Sequence, residues 1–302
     1  MSSPAERTTL DFDVFCSLSV SSKQAKQNQF ELMFSLNLGR RVFLLESDWA
    51  KNVYGDCKPF LSSMAEAFWV KNWSEALAQT SSKPVIVTGD FDEISGLSDR
   101  IGALCLPIPN VPKDWVLCAP SRLNRKRIAV VGPESTGKTT LCEQNALGFN
   151  LLVVGEYIRF LLDQHGRRTT VFEDVEAVII GQHALEEAVF AGSSCGVLCD
   201  TVPLQSLVWS DILFGKRPKQ LLKWLAQRAK YDGYLITMPD ITWSPDPQRC
   251  LPDGGMDFFE RISKEVSLES SPREVVSGHG ESRRESFAAA LTTLLTSNET
   301  GT

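Results

Sequence analysis

The stretch that decides the fold reads Gly132-Pro133-Glu134-Ser135-Thr136-Gly137-Lys138-Thr139. It matches the phosphate-binding pattern G-x-x-x-x-G-K-[ST] at every fixed position. The apolar run at residues 128–131 before it indicates a buried strand, and residues 139–147 after it have a helical pattern that ends at Gly148. Because such a loop wraps a polyphosphate with the N–H groups of a helix N-terminus, the sequence predicts a site for a nucleoside triphosphate.

Two polar side chains of this loop have roles that follow from its chemistry. Lys138 is expected to reach the β- and γ-phosphates, and the Thr139 hydroxyl is expected to be a ligand of Mg²⁺. ATP and Mg²⁺ are therefore the expected cofactors. The residues expected to bind the nucleotide are Gly132, Pro133, Glu134, Ser135, Thr136, Gly137, Lys138, Thr139 and Thr140.

The composition is ordinary for a soluble globular protein, and the chain is expected to be cytoplasmic. A net charge of −6 argues against a general nucleic-acid or membrane-surface partner. No apolar run approaches the roughly 18 residues of a membrane span, and the first residues lack the layout of a signal peptide. The eight cysteines are scattered, without the close pairing typical of zinc or disulfide sites, which indicates isolated thiols in a reducing compartment.

A proline-rich basic segment at residues 106–125 divides the chain. Its four prolines cannot continue a helix or a central strand, so this segment is predicted to be a linker. It separates an α/β segment of unknown function at residues 1–105 from a phosphate-loop domain at residues 126–302. Since domain boundaries fall in such linkers, residues 126–302 are expected to fold and bind ATP without residues 1–105.

Strand and helix patterns alternate after the linker, which predicts a parallel sheet with helices on both faces. Besides the strand before the phosphate loop, strands are predicted at 151–154, 196–199, 234–237 and 274–276, and helices at 157–163, 175–190, 204–214, 220–230, 256–266 and 282–295. Before the linker, strands are predicted at 41–46 and 84–88, and helices at 24–36 and 64–78. The last of these would carry Trp69 and Trp73 on one face.

Polar side chains follow three predicted strands and are expected to face the phosphate loop, since ligands of parallel sheets bind beyond the carboxyl ends of the strands. Glu156, Tyr157 and Arg159 follow the strand at 151–154, where they are interpreted as a sugar-binding acid, a stacking ring and a phosphate-neutralising cation. The alternative is a capped helix start with a surface arginine.

Asp200 directly follows the strand predicted at 196–199. An acid at this place typically holds Mg²⁺ or accepts the proton of the acceptor hydroxyl. The alternative is a helix N-cap. After the next strand, Trp243 offers a stacking face and Arg249 could act as a lid arginine over the γ-phosphate. The alternative there is a plain surface loop.

These motifs together resemble the ribosylnicotinamide kinase domain of NadR-type proteins, within the P-loop NTPase superfamily of AAA-like ATPases. The resemblance covers about residues 126–296 and includes the phosphate loop with Thr140 and Leu141, Glu156-Tyr157-Ile158-Arg159, Phe172-Glu173-Asp174, Gly181-Gln182, Cys199-Asp200-Thr201, Asp240 to Arg249 and Val276-Ser277-Gly278. It implies a P-loop NTPase fold preceded by a smaller α/β segment, and ATP-dependent phosphorylation of nicotinamide riboside to nicotinamide mononucleotide. Lys138, Asp200 and Arg249 would then be catalytic, Thr139 and Asp200 would hold the metal, and Glu156, Tyr157, Arg159 and Trp243 would bind the nucleoside.

The sequence departs from the family at two points. Val202 stands where the family has a second acid, and the N-terminal segment lacks the paired histidines of the family's adenylyltransferase domain, because the three histidines all follow the linker. The N-terminal segment therefore cannot perform adenylyl transfer by that mechanism, which weakens the alternative of a bifunctional adenylyltransferase and kinase. The main alternative to a small-molecule kinase is a regulatory protein that binds ATP or GTP without phosphorylating a small molecule.

Overall fold

The computed structural model describes residues 10–18, 25–58, 66–80, 84–88, 102–109, 125–219, 221–222, 225 and 230–297. These residues build two five-stranded sheets, one before and one after the predicted linker. All strand pairs in both sheets are parallel, as the alternation of strands and helices predicts for the second half.

The N-terminal sheet has the strand order β3-β2-β1-β4-β5. Its strands are β1 (Leu10–Cys16), β2 (Gly39–Leu45), β3 (Glu66–Val70), β4 (Val85–Thr88) and β5 (Leu104–Pro107), and its helices are α1 (Ala25–Leu38), α2 (Asp48–Cys57) and α3 (Trp73–Gln79). The strands expected at 41–46 and 84–88 and the helix expected at 24–36 are confirmed.

The predicted helix at 64–78 is wrong. The first part of that stretch is strand β3, paired in parallel with β2, and the helix begins only at Trp73. Asn72 caps it, because its side-chain oxygen accepts a hydrogen bond from the Glu75 N–H at 3.0 Å. Trp69 therefore lies on a strand, with its ring edge-on to Tyr54, and shares no helix face with Trp73.

Strand β5 ends at Pro107, two residues inside the predicted linker. A proline is compatible with this position because β5 is an edge strand of the described sheet. Residues 110–124, which make up most of the predicted linker, lie outside the described residues.

The C-terminal sheet has the strand order β10-β9-β6-β8-β7. Its strands are β6 (Lys126–Val131), β7 (Leu152–Val154), β8 (Gly196–Asp200), β9 (Gly233–Thr237) and β10 (Arg273–Val276). Its helices are α4 (Lys138–Ala146), α5 (Tyr157–Gln164), α6 (Phe172–Gly192), α7 (Pro203–Phe214), α8 (Gly255–Ser267) and α9 (Gly280–Thr296). Each predicted element of this half is confirmed in type, except that most of the helix expected at 220–230 lies outside the described residues.

The two sheets share one hydrophobic core, in which α1 packs against α6. The Tyr157 ring stacks on Phe34 at 6.1 Å between centroids, and its hydroxyl donates to the Pro107 carbonyl at 2.8 Å. A fragment of residues 126–302 would expose apolar side chains of this core to water, and whether it folds alone stays a prediction to be tested. None of the described helices is long and apolar enough to cross a membrane.

Candidate active site

The phosphate loop lies beyond the carboxyl end of β6, between β8 and β9, and its conformation depends on glycine. Gly132 has φ +141°, and a Cβ there would lie 2.3 Å from the Thr237 Oγ1 and 2.6 Å from the Thr237 carbonyl oxygen. Gly137 begins α4 with φ +79°, a left-handed conformation that side chains disfavour. Two of the pattern's fixed positions are thus set by backbone geometry and close packing.

Three side chains distant in sequence hold this loop in place. Gln205 on α7 accepts a hydrogen bond from the Gly132 N–H at 2.9 Å. The hydroxyls of Thr237 and Thr136 are 2.6 Å apart. The buried Arg283 on α9 donates to the Thr136 carbonyl through Nε at 3.1 Å and Nη2 at 2.9 Å. The loop is therefore organised by the surrounding fold.

Lys138 is buried at the base of the loop. Its ammonium donates to the carbonyl oxygens of Gly132 at 3.0 Å and Pro133 at 2.7 Å. Burial lowers the pKa of Lys138, an effect that the nearby carboxylates of Glu156 and Asp200 oppose. A buried cation held only by neutral carbonyls in its hydrogen bonds is suited to receive phosphate oxygens.

Asp200 ends β8 opposite the first turn of α4. Its Oδ2 accepts a hydrogen bond from the Thr139 hydroxyl at 2.5 Å, while Oδ1 is buried and has no hydrogen-bond partner among the described residues. Burial, followed by the charge of Glu156, raises the pKa of Asp200 to about 7. The carboxylate does not cap α7, because the N-cap position belongs to Val202 and no side-chain capping bond is present.

The side-chain oxygen atoms of Thr139 and Asp200 are suitable ligands for Mg²⁺. This cation prefers oxygen ligands and is usually bound by one or two protein groups together with waters and substrate phosphates. The buried Asp200 Oδ1 without a partner is the kind of atom that such an ion would satisfy. A larger metal-binding group of three or more His, Cys, Asp or Glu side chains is absent from the described part of the chain.

Glu156 lies beside Asp200 at the start of α5. Its Oε1 accepts from the Thr201 hydroxyl at 2.6 Å and its Oε2 accepts from Arg159 Nε at 2.8 Å. Burial raises the pKa of Glu156, but Lys138, Thr201 and Arg159 outweigh that effect and lower it. Glu156 makes no capping bond to α5, so the alternative of a capped helix start does not describe its contacts. Two neighbouring carboxyl groups thus have pKa values displaced in opposite directions.

The loop at residues 238–254, between β9 and α8, covers one side of the site and is called the lid loop. Arg249 lines the cleft and donates from Nη1 to the Ser244 carbonyl at 2.5 Å. The Trp243 indole instead lies against the phosphate loop, where its N–H donates to Glu134 at 3.2 Å. Arg249 thus lines the cleft next to the phosphate loop, whereas Trp243 is absent from the residues that line the cleft.

The stacking role expected for Tyr157 does not match its position. Its side chain is fully buried between the two sheets, with the Phe34 ring on it and the backbone of Gly181 so close that a Cβ there would lie 2.2 Å from the ring. Because neither ring face is open, a substrate cannot stack there. The pattern of residues after β7 could not reveal this, since the covering helix α1 is more than a hundred residues earlier in the chain.

The cleft extends from the phosphate loop between α5, α6 and α7. It has a volume of about 1110 Å³ including the solvent at its mouth. Its far wall is mainly apolar, and is formed by Ile158, Leu162, Val175, Val178, Trp209, Leu213 and Phe214, with Thr170, Ser206 and Ser210 as polar members. The sequence pattern did not reveal this wall or Gln205, because α7 shows only the general pattern of a buried helix. Nor did it reveal Arg283, whose partners lie far away in the chain.

Comparison with solved structures places the fold. A NadR protein in complex with NR matches with a TM-score of 0.50 and 15% sequence identity, over 96% of this chain and 98% of that one. A NadR protein in complex with NAD and AMP-PNP gives 0.48 and 15%, over 97% and 98% of the two chains. A thymidylate kinase from Ehrlichia chaffeensis gives 0.39 and 12%, over 57% of this chain and 99% of that one. The resemblance to NadR is thus confirmed as a likeness of fold.

Two sequence comparisons give different results. A search of curated proteins finds no significant match. The family model described as AAA domain matches residues 127–283, from β6 and the phosphate loop through the arginine that supports the loop from α9. Since that match spans just over half of the 302 residues, the chain belongs to the AAA domain family.

Proposed function

We propose that this protein is an ATP-dependent kinase that phosphorylates a hydroxyl group of a small nucleoside. The observation that carries the proposal is the position of Asp200 and Glu156. Both carboxyl groups are near Lys138, Asp200 bonds Thr139 of the phosphate loop, and Glu156 lines the cleft whose far wall is apolar. A protein that only binds or hydrolyses a nucleotide has no need for a cleft that joins these carboxylates to an apolar wall beside its phosphate loop.

We assign a separate role in phosphoryl transfer to each of four side chains in the site. Lys138 and Arg249 balance negative charge on the transferring group, which is the main contribution a protein makes to this reaction. The acceptor oxygen forms a bond to the γ-phosphorus while the bond to the β–γ bridging oxygen breaks, and ADP leaves. Glu156, held by Thr201 and Arg159, orients the ribose hydroxyls, and Asp200 either takes the acceptor proton or serves the metal.

Mg²⁺, when bound at Thr139 and Asp200, would neutralise charge on the β- and γ-phosphates. Although Val202 replaces an acid of the family, Asp200 remains in the site. The Val202 side chain is fully buried in the hydrophobic core, and Asp200 keeps its bond to Thr139. Val202 thus occupies a core position, while Asp200 and Glu156 both lie near Lys138.

Nicotinamide riboside is the acceptor we propose, with nicotinamide mononucleotide as the product. The motif set from Gly132 to Gly278 supports it, as does the NadR structure in complex with NR, although the likeness to that structure is one of fold. Trp209 on the far wall of the cleft provides an aromatic surface for a planar base.

The test is a coupled ADP-release assay over a panel of nucleosides that includes nicotinamide riboside, with mass spectrometry of the product. Acceptor-dependent ADP release with a monophosphate product is the expected result, and Lys138→Ala is expected to lack it. Nucleotide binding without any acceptor-dependent release would reject the kinase and favour the regulatory alternative. Release with a different nucleoside alone would reject only the acceptor.

A further inference from the structure

Glu134 is an acidic residue inside a loop that is built to receive a polyphosphate, where its charge would by itself oppose binding. Its carboxylate is occupied by donors from the lid loop. It accepts from the Trp243 indole N–H at 3.2 Å, from the Leu251 N–H at 2.6 Å, and from the Cys250 N–H at 3.1 Å to Oε1 and 3.2 Å to Oε2. Three N–H groups of one segment therefore converge on a single side chain of the phosphate loop.

Ser135 makes a second attachment beside the first. Its hydroxyl oxygen accepts from the Ser244 N–H at 2.7 Å and from Arg249 Nη1 at 3.5 Å, and the same Nη1 donates to the Ser244 carbonyl. Ser135 has φ +62°, a conformation that non-glycine residues seldom adopt. The two adjacent residues of the phosphate loop thus hold the segment before Arg249 and the segment after it.

The opposite side of the lid loop is attached to α5. Arg159 Nη1 lies 3.4 Å from Asp246, and Gln248 Nε2 donates to Asp163 at 2.9 Å. The Glu134 carboxylate accepts from three N–H groups, whereas each of these two contacts joins a single pair of side chains and the Arg159–Asp246 pair is long. The lid loop therefore spans the cleft from the phosphate loop to α5, and its more extensive attachment is at Glu134.

We propose that Glu134 is a positioning residue, whose carboxylate latches the lid loop to the phosphate loop and so places Arg249 over the transferring phosphoryl group. The inference rests on the proposed kinase function for its effect on turnover, but not for the latch itself. The Glu134 carboxylate acts through Arg249, since it binds the N–H groups of the two residues that follow this arginine.

The latch is tested first without nucleotide, by trypsin cleavage of the full chain between Arg249 and Cys250. In Glu134→Gln, the uncharged amide loses charge-assisted bonds to the Cys250 and Leu251 N–H groups, so cleavage at this peptide bond is expected to be at least about tenfold faster. The matched control is Glu143→Gln, which removes the same charge from an exposed position on α4 and should leave the cleavage rate unchanged. Equal cleavage in the two variants would overturn the latch.

Turnover is tested in the same variants and in an Arg249→Ala background. Glu134→Gln is expected to lower kcat about tenfold or more while the KM for ATP stays the same or falls, because a negative charge near the phosphates has been removed. Since Glu134 acts through Arg249, the loss of kcat is expected to vanish when Arg249 is already Ala. Additive losses, or a loss seen only in KM, would refute the positioning role. If the wild-type protein shows no acceptor-dependent ADP release, the proposed function fails while the cleavage result still decides the latch.

Discussion

Replacing Asp200 by Asn is expected to stabilise the nucleotide-free protein. The Asp200 side chain is buried, and its Oδ1 has no hydrogen-bond partner among the described residues. Burial, together with the charge of Glu156, raises its pKa from 3.8 to about 7. An acid with a raised pKa in the folded state keeps its proton longer there than in the unfolded chain. The wild-type protein therefore loses stability as the pH rises from the unfolded-state pKa to the folded-state pKa.

The size of this loss follows from the pKa difference. A difference of about 3 pKa units corresponds to at most about 4 kcal/mol of unfolding free energy above pH 7. Asn carries no charge at any pH, so the stability of Asp200→Asn relative to wild type should grow by about 2 kcal/mol between pH 5 and pH 7 and level off above about pH 8. Any cost of the unsatisfied amide is independent of pH and cancels from this change.

The measurement is urea-induced unfolding of both proteins in EDTA at several pH values. The other titrating groups are common to the two chains, so their contributions cancel to a first approximation when the free energies are subtracted. A difference in unfolding free energy that does not change with pH would refute the argument that folding buries this carboxylate at a cost. In the ADP-release assay, the same variant is expected to lose about 10²-fold or more in turnover, on the scale of lost general-base or metal-positioning groups. Near-normal turnover would reject the catalytic role of Asp200.

Three further perturbations test the loop and the organisation of the chain. Lys138→Ala is expected to abolish phosphoryl transfer with an unchanged circular dichroism spectrum, and unchanged turnover would remove the phosphate-loop assignment. Gly132→Ala should lower the melting temperature by several degrees, because the new Cβ would lie 2.3 Å from Thr237 Oγ1. Gly148→Ala, where no heavy atom lies within 4 Å, is the matched control, and equal melting temperatures would contradict the steric argument. A fragment of residues 126–302 should be less stable than the full chain and prone to association, since the surface that packs on the N-terminal sheet becomes exposed. A monomeric fragment that melts with the full chain would show that this half folds independently.

The parts of the fold that could be predicted are those in which the determining residues are close together in sequence. The strand, glycine loop and helix around Gly132 form one continuous segment, and their pattern is sufficient without any tertiary contact. The same holds for Asp200. It follows a buried strand directly, and the carboxyl ends of parallel strands lie at the same edge of the sheet as the phosphate loop. The alternation of short apolar runs with amphipathic stretches predicted the parallel C-terminal sheet for the same reason.

The parts that could not be predicted depend on partners distant in the chain. Arg283 supports the loop at Thr136 across a separation of 147 residues, and nothing in its own helix distinguishes it from a surface arginine. Tyr157 follows the same strand as Glu156, but α1 and β5 of the other sheet decide that its ring is buried. The stretch at residues 64–78 has apolar residues at helical spacing, yet pairing with β2 turns its first part into a strand.

The phosphate loop and the adjacent Asp200 contain buried or like-charged groups that lower the stability of the folded protein. Lys138 is buried with only carbonyl oxygens as hydrogen-bond partners, Asp200 keeps an unpartnered oxygen, and Glu134 places a negative charge where phosphates are expected. Such arrangements lower stability and persist where the surrounding structure fixes them. Here that structure is provided by Gln205, Thr237 and Arg283, which hold the loop from three different elements. A loop already held in its phosphate-binding shape needs little reorganisation when a nucleotide binds, so binding free energy is available to place the lid arginine and the acceptor.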